Sequence, residues 1–157
     1  MIRPATPQDA EAIAAIWRPA IEGTTASFRP MPPDADEIAR MIKAVRARGH
    51  AFLVEGDRAF GYYGQLRGNA GYARTMEHTL FLSEAARGRG LGRAMLCALE
   101  DHARAGGATS LWGGISAENG GAVAFHRACG YAEAARLPGV GYKFGREIDL
   151  VLMRKAL

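Results

Sequence analysis

The chain has 157 residues, 48% hydrophobic and 23% charged, which suits one packed domain over 1–157 and excludes a disordered, collagen-like or mucin-like chain. Twenty Lys and Arg against sixteen Asp and Glu leave a net charge of +4, which favours an anionic partner. No apolar run approaches the roughly 20 residues that span a bilayer, and Met1-Ile2-Arg3-Pro4 lacks the apolar stretch of a secretory leader, so a cytoplasmic protein without a membrane partner is expected.

In chain order, Ile2-Arg3 opens a short strand. Thr6-Pro7-Gln8-Asp9 then reads as a helix start: Thr caps, Pro fits the first turn, and the acid meets the positive helix end. Ile13, Ile16, Trp17 and Ile21 follow at helical spacing, and Gly23 ends the helix. Residues 24–33 contain three prolines and read as a loop. A second helix runs from Asp34 to Arg48 with Ile38, Met41, Ile42 and Val45 on one face. The period then shortens. Ala51–Glu55 and Ala59–Gln65 form a hairpin about Gly56-Asp57, and Tyr72–Ser83 reads as a longer strand. Leu91–Arg104 is a helix, Ser110–Ile115 a strand, Gly120–Ala128 a helix capped by Asn119, and Ile148–Lys155 a closing strand. The order β-α-α-β-β-β-α-β-α-β makes an α/β (α+β) fold with a mixed sheet. Cys97 and Cys129 sit among apolar residues and read as buried thiols; no CxxC, HExxH or EF-hand spacing occurs, so no metal is expected.

The most informative stretch is Leu80-Phe81-Leu82-Ser83-Glu84-Ala85-Ala86-Arg87-Gly88-Arg89-Gly90-Leu91-Gly92-Arg93. A strand leads into a turn of alternating Gly and Arg, and a helix follows. Glycines let backbone N–H groups approach a ligand closely, the helix start adds free N–H groups and a positive dipole end, and the arginines add charge. This is a cradle for a phosphate or pyrophosphate. A dinucleotide GxGxxG fails because Arg93 and Met95 stand where its third glycine belongs, and the P-loop pattern GxxxxGK[ST] is absent. The pattern met is [QR]-x-x-G-x-[GA], by Arg87, Gly90 and Gly92.

On that motif the chain resembles the GNAT acetyltransferases. Thr24-Thr25-Ala26-Ser27-Phe28, Arg74-Thr75-Met76-Glu77-His78, Val123-Ala124-Phe125-His126 and Gly141-Tyr142-Lys143-Phe144-Gly145-Arg146 are similar to the phosphinothricin and methionine sulfoximine acetyltransferase branch. Two departures are Glu147, where the branch usually has Trp, and Arg18-Pro19 on the first helix. The resemblance implies a mostly antiparallel sheet flanked by about four helices, acetyl-CoA as co-substrate, a small amine as acceptor and a homodimer. It implies that Arg87 to Arg93 hold the pyrophosphate, that Leu80, Phe81 and Leu82 offer backbone groups to the pantetheine arm, and that Asn119 also contacts the cofactor.

Direct acetyl transfer asks for a base, alignment and a proton for the leaving thiolate, and no Cys/His/Asp set argues for a covalent intermediate. Glu77 lies mid-strand among apolar residues, where burial raises a carboxyl pKa, and is the first choice for the base. The branch assigns the matching Glu such a role. His126 is the second candidate, as acid or base. His78, next to Glu77, faces the other way along a strand and is expected to be structural. The resemblance places Arg74 near the acidic group of the substrate, where a guanidinium grips a carboxylate through two hydrogen bonds. Phe28 and Tyr72 are expected as apolar walls, and Lys143 as the closure of the far side. No nucleic-acid partner is expected, because the basic residues form no stripe interleaved with aromatics.

Overall fold

Between residues 51 and 82 the apolar side chains alternate between two faces, and the chain turns that alternation into consecutive antiparallel strands. The computed structural model describes residues 1–157 as β1 (Arg3–Pro4), α1 (Ala10–Gly23), α2 (Ala35–Ala47), β2 (Phe52–Glu55), β3 (Ala59–Gln65), β4 (Thr75–Leu82), α3 (Leu91–Ala105), β5 (Ser110–Ser116), α4 (Gly120–Ala128), β6 (Ala132–Lys143) and β7 (Arg146–Ala156). One seven-stranded sheet runs β1-β2-β3-β4-β5-β7-β6, and only β4 and β5 pair in parallel.

Each face of the sheet has its own core. On one side Ile13, Trp17 and Ile21 of α1 and Ile38 and Ile42 of α2 pack on Phe52, Val54 and Phe60. On the other, Met95, Leu96 and Leu99 of α3 pack on Leu53, Tyr63, Met76, Leu111 and Met153. Complete burial of one such side chain contributes about 1.5–3 kcal/mol. Caps hold the helix starts: Asp34 accepts the Glu37 N–H at 2.7 Å, and Asp9, paired with Arg3 at 2.7 Å, accepts the Thr6 N–H at 2.8 Å.

Three expectations need correction. The central strand starts at Thr75, not Tyr72, because Asn69 caps a short 3₁₀ turn over Ala70–Tyr72 by accepting the Gly71 N–H at 2.9 Å. β6 was not foreseen; its sequence holds Pro138, Gly139 and Gly141, and these fall where its register against β7 shifts. An edge strand tolerates such residues because one side of its ladder is unpaired anyway. Cys97 is exposed on α3, whereas Cys129 is buried. The charge is also unevenly divided: of the twenty basic residues seventeen are arginines. Of the three lysines, Lys43 is exposed, Lys155 pairs with Glu100 at 2.7 Å, and Lys143 is buried.

Candidate active site

The parallel pairing of β4 with β5 runs from Thr75–Ser110 to His78–Gly113 and stops. Both strands continue, β4 to Leu82 and β5 to Ser116, while their outer neighbours β3 and β7 stay paired to them. The sheet therefore forks. Backbone groups along a strand alternate in direction. The Thr75 carbonyl accepts from Leu66 at 3.0 Å, and the Ser83 N–H donates to the Arg58 carbonyl at 2.8 Å, both on the β3 side. The N–H and C=O groups of Leu80 and Leu82 thus face the fork, where no strand meets them. A cleft of about 1090 Å³ fills this fork, lined by Thr79 to Leu82 on one side and Gly113 to Ser116 on the other.

One end of the cleft is the Gly/Arg turn. Arg87, Gly88, Gly90, Gly92, Arg93 and Asn119 line it, together with Leu80, Phe81 and Leu82. Gly88 and Gly90 have φ of +72° and +79°, and a Cβ on either would meet nothing within 4 Å. Their backbone is thus bare toward solvent in a conformation that favours glycine. No side chain caps the start of α3, so its first N–H groups stay available for an anion. These features fit the pyrophosphate and pantetheine of acetyl-CoA. Asn119 caps α4 by accepting the Ala122 N–H at 3.0 Å, which leaves its amide NH2 free toward the cleft. Arg89 and Leu91 lie instead in a neighbouring depression beside Arg58 and Ala85.

Glu77 lies on the sheet face that carries α1 and α2, and burial pushes its carboxyl above the ordinary range. Gly114 makes room for it: a Cβ there would sit 2.8 Å from Glu77 Oε1. Trp17, Phe28, Arg29, Tyr62 and Thr79 line the acceptor half of the cleft; Glu77 is not itself a lining residue and meets the cleft through Gly114, which is one. Phe28 packs against Gly141, where a Cβ would lie 2.5 Å from the ring, so glycine leaves the space it occupies.

Lys143 does not close the far side of the cleft. It is 5% exposed, and its ammonium donates to the carbonyls of Ile21, Thr24 and Ser27, the last two at 2.7 Å. Three donors meet three acceptors, so Lys143 pins the loop that presents Phe28. Tyr72 and Arg74 also stay outside the cleft of this chain. Arg74 is exposed at the paired end of β4, with its Nε 3.4 Å from the Gly107 carbonyl, and Tyr72 lies in the preceding turn. Glu147 is exposed on the β6–β7 hairpin and lines no part of the cleft.

His126 sits across the sheet from Glu77. Its Nδ1 lies 2.7 Å from the Ala122 carbonyl and its Nε2 lies 3.1 Å from Nε2 of His78, with the rings stacked 5.1 Å apart. The carbonyl can only accept, so His126 carries its proton on Nδ1. His126 Nε2 then accepts, and His78 supplies the proton from its own Nε2. His78 Nδ1 is left buried without a partner. Burial pushes His78 down to about 3, helped by His126, and lowers His126 as well. Gly113 leaves space for the pair, since a Cβ there would lie 3.1 and 3.2 Å from the two Nε2 atoms. Adjacent glycines thus open both faces of β5, one for the imidazoles and one for the carboxylate.

Sequence reasoning missed Arg29, Tyr62, Thr79 and Trp17 as cleft residues. The usable signal was Gly113-Gly114 inside a strand, since paired glycines there mark a close approach from both faces.

The sequence pattern of the Acetyltransferase (GNAT) family matches residues 13–131. An L-methionine sulfoximine/L-methionine sulfone acetyltransferase of Pseudomonas paraeruginosa is 35% identical over 98% of this chain and 92% of its own length. A phosphinothricin N-acetyltransferase of Alcaligenes faecalis is 33% identical, covering 99% of this chain and 82% of its own. A Salmonella typhimurium acetyltransferase solved with its cofactor acetyl-CoA superposes with a TM-score of 0.94 at 32% identity, over 100% of this chain and 93% of the other.

Proposed function

Because this chain belongs to the GNAT family of acetyltransferases, with acetyl-CoA as co-substrate, we propose that it acetylates the α-amine of a small amino-acid-like molecule. Methionine sulfoximine, methionine sulfone and phosphinothricin are the substrate types that its relatives' names suggest. The observation that carries the reading is the forked sheet, with a bare backbone edge and a phosphate cradle along the cleft and the half-buried Glu77 carboxylate against Gly114 of its wall. Acetyl-CoA supplies the acetyl group as a thioester: the amine nitrogen bonds to its carbonyl carbon, the sulfur leaves with the electrons of the C–S bond, and the second proton that the nitrogen gives up ends on that thiolate.

The chain's own residues do the rest. Arg87, Arg93 and the free N–H groups at the start of α3 hold the pyrophosphate. Leu80 and Leu82 hold the pantetheine arm through their unpaired backbone groups, and Asn119 adds an amide donor. Glu77 takes the proton that the ammonium must lose before its nitrogen has a lone pair to give. Its raised pKa keeps it basic enough for that exchange near neutral pH. His126 lines the cleft with both nitrogens engaged by Ala122 and His78, so as a proton carrier it is second to Glu77. The same reading includes a homodimer in the cytoplasm, and light scattering on a size-exclusion column tests the dimer.

The experiment is CoA release from acetyl-CoA over methionine sulfoximine, methionine sulfone, phosphinothricin, free amino acids, a polyamine and a short peptide. Wild type, Glu77→Gln and His126→Ala run side by side. Turnover concentrated on the sulfoximine group, lost by about 10²–10⁴-fold in Glu77→Gln and reduced less in His126→Ala, supports the assignment. Binding of acetyl-CoA with no turnover on any amine would turn the chain into an acyl-CoA sensor.

A further inference from the structure

An amino-acid acceptor brings a carboxylate, and with Arg74 outside the cleft of this chain the cations that line the cleft are the candidates to meet it. The charged side chains lining the cleft, apart from the two histidines, are Arg29, Arg87, Arg93 and Glu118. Arg87 and Arg93 belong to the phosphate end. Glu118 is paired with the Arg146 fork and accepts the Thr25 hydroxyl at 2.9 Å. Arg29 remains, on the loop that Lys143 pins and next to Phe28.

Arg29 is held rigidly yet incompletely. Its guanidinium carbon lies 5.1 Å from the centre of the Trp17 ring, so the plane of the indole fixes where the charge sits. Both terminal nitrogens donate to one oxygen, Oε1 of Glu37, at 3.2 and 2.7 Å. Two of five N–H donors are therefore spent on a single acceptor, and a guanidinium can offer an N–H pair to a second carboxylate. The side chain is 34% exposed, so solvent reaches it. Trp17 is 3% exposed, lines the same cleft, and its indole N–H has no partner. Tyr62, also in the cleft, has its ring centre 6.4 Å from that of Trp17, so Arg29, Trp17 and Tyr62 share one wall.

We propose that Arg29 is the specificity-determining cation of the acceptor site: it holds the α-carboxylate of the amino acid while Glu77 receives the proton of the adjacent amine. Glu37 is its resting partner and keeps the guanidinium in place between turnovers. This assignment rests on the amino-acid N-acetyltransferase reading above.

The test compares methionine sulfone with its carboxamide at saturating acetyl-CoA, in wild type, Arg29→Gln, Arg29→Lys and Glu37→Gln. The amine of the amide is less basic, so each variant is compared with wild type on each compound separately. Arg29→Gln is expected to lower kcat/KM for the acid about 10–100-fold, through KM, and at least tenfold more than for the carboxamide. Arg29→Lys restores part of the acid preference, and Glu37→Gln lowers KM for the acid. Equal losses on both compounds would make Arg29 a structural part of the loop and overturn the proposal, as would no loss on either. Wild type that acetylates neither compound overturns the amino-acid reading together with this inference. Normal wild-type turnover with an indifferent Arg29→Gln overturns this inference alone.

Discussion

Glu77 is where burial and chemistry meet in a single side chain. A base works only when it is deprotonated, so kcat/KM is expected to fall as pH drops through the raised pKa of Glu77. A pH–rate profile should show that limb in wild type and lack it in Glu77→Gln. The same burial sets the sign of a stability effect. The folded state holds the Glu77 proton more tightly than the unfolded chain does, so ionised Glu77 opposes folding above the raised pKa. Glu77→Gln should therefore melt higher than wild type at pH 8, and the gap should close as pH falls below the ordinary carboxylate value. Lys143 gives the opposite outcome. Lys143→Met leaves the Ile21, Thr24 and Ser27 carbonyls without their donor, and urea unfolding should register a loss of about 2–4 kcal/mol. KM for the amine should rise with it, because the Phe28 loop loses its pin, while KM for acetyl-CoA changes little.

At the scale of elements, the fork between β4 and β5 organises the site, and it depends on two glycines. Gly114→Ala would press a methyl group against Glu77 Oε1 from 2.8 Å. The carboxylate is the movable end of its side chain, so the fold should survive, with kcat lowered by up to about a hundredfold at nearly unchanged melting temperature. Much of this level was legible beforehand. The strand–Gly/Arg turn–helix from Leu80 to Arg93 carries its own geometry in short-range signals, and α4 with its Asn119 cap was placed to the residue. Placement by faces failed where it needed more than alternation. Arg74 and Tyr72 fell outside the cleft because Asn69 builds a turn that delays β4. Lys143 faces inward because β6, an edge strand broken by Pro138 and glycines, pairs with β7 in a shifted register that no local pattern announces. Arg29 went unnoticed because its position over Trp17 joins α1 to the following loop, a contact between segments rather than a motif.

For the molecule as a whole, the net charge is +4, and Arg87 and Arg93 bring two of its cations to the phosphate end of the cleft. Raising NaCl shortens the Debye length from about 10 Å at 0.1 M to about 3 Å at 1 M, so KM for acetyl-CoA should climb across that range. Arg87→Ala should start higher and climb less steeply. The choice of arginine for that charge has a further consequence. A thioester acylates free amines, and a protein that concentrates thioester around itself exposes its own lysines to damage. Guanidinium groups stay protonated and do not act as nucleophiles. With seventeen arginines, Lys143 buried and Lys155 tied to Glu100, Lys43 is the one lysine both exposed and free of an ion pair. Prolonged incubation with millimolar acetyl-CoA at pH 8.5, where about 1% of an ordinary lysine amine is uncharged, should by mass spectrometry load acetyl groups on Lys43 and leave Lys143 clean. The enzyme would then outlast its own reagent.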